Sequence, residues 1–392
     1  MGARVPKLLA GVIVVAVAVV IVVAVVTRGQ EAGPLTTPWG EPDLQGIWTT
    51  EFDTPLQRAA RFGTRELYTE EERVQLDQER AELLGRDRRV ERGSELDVAG
   101  AYGSVFMSMK RTGRRTSLVV DPPNGRLPDV TPEQRERAAA DRAFRIDLLR
   151  STQTCKSGST ACAGGTYDAT PSPRREEALA RYNTARMNRH FSPEDGSLGD
   201  RCLSGGLPGF GGAYGGNFRR IVQTPGGVSI FYDIDQGQAF QRNIVMNGRP
   251  HLPATVRQWF GDSRGRWEGD TLVIDVTNFS PKWDYMGARE NLHLIEKWRR
   301  TGPVTLEYEV TVEDPTVWTR PWTMREEFTR QNEKENRIYY EPRCHEGNYG
   351  FPSLLLSARL AEKAYAEGKG PHPATKDNAT DFVGVEDNPL AR

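Results

Sequence analysis

Charge of one sign, cysteine and local metal-ligand spacings are all scarce in this chain, and each scarcity excludes something. The 392 residues carry 52 Lys and Arg against 53 Asp and Glu, a net charge of -1. Nucleic-acid binding wants an uncompensated basic face, so that function is excluded, and the arginine runs "GRDRRVERG" and "RRTGRR" read as solvated surface. No Gly-x-Ser-x-Gly surrounds Ser263, which removes the nucleophile elbow of a serine hydrolase. No two histidines stand at His-x-x-x-His spacing, so any metal site must be assembled by tertiary contact. The glycine-rich stretch 205–217, "GGLPGFGGAYGGN", lacks the lysine and the following helix of a phosphate loop and reads as a flexible linker or lid.

There are only four cysteines. In an exported chain they predict two disulfides: Cys155 and Cys162 form an obvious local pair in "CKSGSTAC", which leaves Cys202 and Cys344 to tie the middle of the chain to its end. Export itself is predicted from the N-terminus. Arg4 and Lys7 precede an unbroken apolar run, Leu8 to Val26, long enough to span a membrane as a helix of about 28 Å. No good small-x-small cleavage site follows, so residues 1–30 read as an uncleaved anchor. The basic residues ahead of the span place the body outside the cytoplasm, on the periplasmic side of the inner membrane as a single-pass protein.

Residues 31–204 are predicted to be helical and loop-rich. Capping boxes open two helices, Thr69 with Glu72 and Thr131 with Pro132 and Gln134; a third helix is expected through "REEALARYNTARM" and a hairpin near Thr116 to Leu127, turning at Asn124-Gly125. From residue 205 to 350 the texture changes to short strands bounded by turns at Gly226-Gly227, Asn247-Gly248, Gly269-Asp270 and Gly302-Pro303. Segments "ATVRQWFG", "GDTLVIDVTNF", "LHLIEKWRR", "VTLEYEVTVED" and "WTRPWTMREEF" are read as strands. The fold class is mainly β, an antiparallel meander closed into a barrel. Residues 351–392 are expected to form a short helix and a disordered tail containing His372.

Three histidines carry the candidate chemistry: His251 in "GRPHLP", His293 in "NLHLIEKW" and His345 in "CHEGNYG". Together, or with Glu346 or Asp262, they have the donor types of a divalent metal site such as zinc with an open position for water. Without metal, His345 or His293 can act as general base, oriented by Asp262, Glu346 or Asp284. In "WTRPWTMREEF" the alternation puts Arg320 and Glu326 on the face of Trp318, Trp322 and Met324, so Arg320 is a candidate anchor for a ligand carboxylate or phosphate unless Pro321 turns it outward. Trp259, Trp298, Trp318 and Trp322 are candidates to line a cavity or pack the core.

The strings "RQWFGDSRGRWEGDTLVIDVTNF", "NLHLIEKWRR", "VTVEDPTVWTRPWT" and "CHEGNYG", with "PWGEPDLQGIW", "RTSLVVDPPNGRLP" and "DRCL", resemble a family of exported, functionally uncharacterised proteins of soil and marine bacteria. The resemblance implies an exported protein of this architecture and no substrate. More loosely, Gly46-x-Trp48 and the "GxxxGD" hairpin resemble lipocalin-type barrels. The expectations that follow are a barrel holding a small amphipathic or aromatic molecule, an exported hydrolase or lyase with a histidine–carboxylate site at the barrel mouth, or an envelope scaffold.

Overall fold

A computed structural model of the protein describes residues 35–50, 52–83, 110–158, 162, 165–177, 192–195, 201, 206–209, 216–235, 240–331 and 350–375. The predicted anchor, Cys202, Cys344, His345, Glu346, most of the glycine-rich stretch and the expected third helix lie outside these residues, apart from a short 3-10 turn at Pro173–Glu176. Among the described residues no helix is long and apolar enough to cross a membrane.

The sheet is built from β1 (Gly46–Thr49), β4 (Val119–Asp121), β5 (Gly216–Thr224), β6 (Gly227–Asp235), β7 (Phe240–Val245), β8 (Asp262–Glu268), β9 (Thr271–Thr277), β10 (His293–Arg300), β11 (Thr305–Glu313) and β12 (Trp322–Arg330). Strands β1 and β5 to β12 close into a nine-stranded barrel, because β1 pairs with β5 on one side and with β12 on the other. β1 covers only the far half of β12, at Thr329 and Arg330; β4 covers the near half, at Thr323 and Met324. The edge of β12 therefore finds backbone partners at both of its ends, which covers much of the edge an open sheet would expose. β1 and β4 come from the segment expected to be helical and loop-rich, β4 from within its expected hairpin. A small parallel pair, β2 (Phe52–Asp53) with β3 (Arg111–Thr112), lies beside the barrel.

Strand β11 shows why the barrel forms. Leu306, Tyr308, Val310 and Val312 alternate with Thr305, Glu307, Glu309, Thr311 and Glu313, and the four apolar side chains are buried. Burying each of these stabilises the fold by about 1.5–3 kcal/mol. The interior carries stacked rings: Trp298 lies 4.2 Å from Tyr308 and 5.9 Å from Phe328, centroid to centroid. Trp48 is buried and donates its indole N–H to Leu44 O at 2.8 Å, while the Arg300 guanidinium lies over its ring at 5.9 Å.

The helices are α1 (Glu70–Leu83), α2 (Pro132–Leu149), α3 (Gln153–Lys156) and α4 (Gly350–Ala366). The expected caps are present: Glu72 N donates to Thr69 Oγ1 at 3.2 Å, Thr69 N to Glu72 Oε2 at 2.8 Å, and Gln134 N to Thr131 Oγ1 at 3.1 Å. Cys155 and Cys162 are bridged as expected, packed with Leu149.

Four local expectations change. Residues around 254–261 form turns and a loop rather than a strand, because the backbone of Gln258 bonds across to Asn278 and Ser280 instead of to a neighbouring strand. Asn247-Gly248 accordingly opens a long connection, and β7 meets β8 in parallel at Val245 and Arg264, the one break in the antiparallel meander. No hairpin forms at 116–127; β4 pairs with β12, and after the turn at Gly125 the chain adds no second strand. His372 is not in a disordered stretch: its ring packs edge-on against Tyr365 at 4.8 Å, and Ser151 Oγ donates to Ala374 O at 3.1 Å.

Candidate functional site

The β8–β9 turn at Gly269-Asp270 and the β10–β11 turn at Gly302-Pro303 set the register that assembles the site. Arg264 faces Asp275 across β8 and β9, Asp275 faces Ile295 on β10, and His293 faces Glu313 on β11. Alternation sends Val276, Leu294 and Val312 into the core, so Asp262, Arg264, Asp275, His293 and Glu313 share the opposite, outer face at one end of the barrel. The 246–261 connection folds over this face and brings in His251.

The result is a continuous row of alternating carboxylates and imidazoles. Asp262 Oδ2 takes Arg264 Nε at 2.9 Å, Leu252 N at 3.0 Å and His251 Nδ1 at 2.9 Å. His251 Nε2 lies 3.0 Å from Asp275 Oδ1, and His293 Nε2 lies 3.1 Å from the same oxygen. His293 Nδ1 completes the row 2.8 Å from Glu313 Oε2. Asp262 is buried, whereas the side chains of His251, Asp275, His293 and Glu313 are 26 to 35% exposed, within reach of solvent and of a small substrate.

The connection is fixed where it matters. Asn278, at φ 61°, donates its Nδ2 to Leu252 O at 2.8 Å and Pro253 O at 3.2 Å, next to His251. Gly261 has φ 65°, and a Cβ there would stand 2.6 Å from Thr277 O, so only glycine lets the chain enter β8 at Asp262.

The electrostatics follow from the alternation. Asp275 holds His293 above the ordinary imidazole range, with Glu313 adding to it against a smaller opposing effect of burial. The reciprocal hydrogen bond from His293 holds Asp275 below the usual carboxylate range. For Asp262 burial is the largest influence and pushes upward, but Arg264, the Leu252 N–H and His251 together outweigh it and leave the carboxyl depressed. Each ring nitrogen of His293 faces a carboxylate oxygen, so the doubly protonated ring satisfies both contacts. Such a row holds a proton on His293 to higher pH than a free imidazole would, and the partly exposed ring can exchange it with a group that approaches from solvent.

Three of the predicted site residues, His251, Asp262 and His293, thus come together, and Asp275, Glu313 and Arg264 join them. Among the described residues no group of three or more His, Cys, Asp and Glu side chains is arranged to hold a metal ion; His345 lies outside these residues. Asp284 is elsewhere, bound to Arg289 Nε at 3.0 Å. Arg320 is not an inward anchor: it precedes β12, is exposed, and donates to Asp121 Oδ2 at 2.7 Å. Trp259 is 41% exposed on the 246–261 connection and lines no barrel interior, since its segment is not a strand. Trp298, Trp318 and Trp322 are buried in the core, the last two in edge contact at 5.4 Å. A surface cleft of about 280 Å³ lies at α1, lined by Phe62, Leu76 and the Arg65–Glu72 pair, and contains none of the row.

Comparison with protein-family models, with curated proteins and with solved structures finds no match to this chain.

Proposed function

We propose that the protein is an enzyme of the cell envelope, a hydrolase or lyase that moves protons through the outer-face row Asp262, His251, Asp275, His293 and Glu313. The observation that carries this reading is the placement of His293, whose two nitrogens face Asp275 and Glu313 while the ring stays partly open to solvent. A histidine oriented by carboxylates and held above the ordinary imidazole range is suited to general acid–base work as the proton donor. His293 is the group that exchanges a proton with substrate, through the nitrogen freed when its contact to Glu313 or to Asp275 opens, and the remaining carboxylate positions it. The apolar run 8–26 and the likeness to exported bacterial proteins support a membrane-anchored, extracytoplasmic placement, with that run as the membrane contact. The test is turnover by the purified full chain of a panel of nitrophenyl esters, lactones and glycosides. A rate that His293→Ala and Asp275→Asn both abolish supports the proposal; a rate indifferent to both substitutions overturns it.

A second reading, the barrel as a container for a small amphipathic or aromatic molecule, is favoured by buried hydrogen-bond donors in the lumen that have no acceptor among the described residues, among them Tyr232 Oη and Arg242 Nη1. The Gly46-x-Trp48 opening, with Trp48 buried under Arg300, supports a lipocalin-like use of the barrel.

A further inference from the structure

The lumen of the barrel is not uniformly apolar. Between its aromatic layers Arg242 on β7 reaches Glu296 on β10 through Nη2 and Oε2, and Tyr308 on β11 donates to Glu296 Oε1 at 2.6 Å. Both oxygens of Glu296 are therefore engaged. Tyr232 on β6 stands diagonally from Arg242, since Tyr232 pairs with Phe240 and Arg242 with Ile230. These side chains are at most 4% exposed.

The belt has more donors than acceptors. Arg242 Nε and Nη1, Tyr232 Oη and Trp298 Nε1 are all shielded from solvent and have no acceptor among the described residues. Each such buried donor is destabilising when left unmatched. Among the unmatched lumen oxygens, Glu326 Oε2 on β12 belongs to a carboxyl whose pKa burial pushes up, toward the form that donates. Glu296 balances the charge of Arg242, and the buried guanidinium of Arg219, 4.6 Å from the Phe328 ring and 5.7 Å from the Tyr232 ring, adds a further positive charge beside the belt, so the belt suits one added negative charge and not two.

We propose that this belt binds a small monocarboxylate with an aromatic or short aliphatic body, its oxygens on Arg242 and Tyr232 and its body among Phe240, Trp298 and Phe328. The proposal rests on the container reading and is independent of the outer-face row. An oxyanion supplies the lone pairs that the belt lacks, and the flanking rings supply an apolar wall.

The test is a fluorine NMR titration of the full chain with 4-fluorobenzoate, with 4-fluorobenzyl alcohol as neutral analogue and inorganic phosphate as competitor. Tyr232→Phe removes one donor, and Arg242→Lys keeps the charge beside Glu296 but removes the fork. Expected are binding of the benzoate, binding at least about tenfold weaker for the alcohol, and about tenfold loss in each variant, the equivalent of one charge-assisted hydrogen bond. Equal binding of alcohol and benzoate, unaltered in both variants, overturns the carboxylate assignment and leaves the container reading standing. Displacement of benzoate by an equal or lower concentration of phosphate overturns it in favour of free phosphate. No binding of either fluorinated probe at millimolar concentration overturns both.

Discussion

His293 Nε2 lies 3.1 Å from Asp275 Oδ1, and this contact links the two halves of the outer-face row, because the same oxygen also faces His251. Removing the carboxylate separates the row into two pairs. Asp275→Asn is expected to lower kcat/KM for any substrate turned over by about 10²–10⁴-fold, as is typical when a positioned acid–base group is lost. His293→Ala is expected to do the same, whereas Asp284→Asn, outside the row, leaves the rate within about twofold.

The shifts at His293 and Asp275 fix the sign of the pH dependence of stability. His293 is raised by Asp275 and Glu313, so its contribution is fully present below its unfolded value of about 6.5 and is lost as pH rises through the higher folded value. Asp275, held down by His293, contributes above its unfolded value of about 3.9, and that contribution is lost as pH falls through the lower folded value. Asp262 adds to the acid limb with the same sign. Urea midpoints between about pH 3 and 9 should form a plateau with both limbs, and Asp275→Asn should flatten the alkaline one.

The Arg242–Glu296 pair is buried and has the signature of an interaction that is costly to break on one side. Arg242→Met leaves Glu296 with only Tyr308 as donor, and an unfolding free energy lower by about 3–5 kcal/mol is expected. Arg242→Met combined with Glu296→Leu should lose much less than the single change, because no uncompensated charge remains. Denaturant titration of both variants separates the two outcomes.

Gly261→Ala tests the entry into β8. The left-handed backbone and the 2.6 Å approach of a Cβ to Thr277 O both oppose it. A stability loss of at least about 1–2 kcal/mol is expected, together with displacement of Asp262 from His251.

Much of the site was legible once turns were placed. Counting equal steps back from Gly302-Pro303 sets Glu313 opposite His293, and counting from Gly269-Asp270 sets Asp275 opposite Arg264; neither carboxylate was paired with its histidine from sequence because strand alternation alone does not give register. His251 was visible as a candidate ligand but not with Asp275 as its partner, since the connection that carries it folds back over the sheet to reach Asp262 and Asp275. The local disulfide and the two helix caps were legible because their partners lie within a few residues. Closure by β1 and β4 was not, because it depends on pairing across more than 150 residues. Arg320 takes the outward alternative that Pro321 allows: the period-two pattern stops at the proline, β12 starts at Trp322, and Asp121 draws Arg320 outward.

The central claim is that the row is one linked proton system, and a nitrogen-15 NMR titration of the imidazoles in the full chain tests it most directly. The account predicts that His293 titrates above the ordinary imidazole range and that Asp275→Asn and Glu313→Gln each move it downward. A His293 that titrates at the ordinary value and ignores both substitutions would contradict the account.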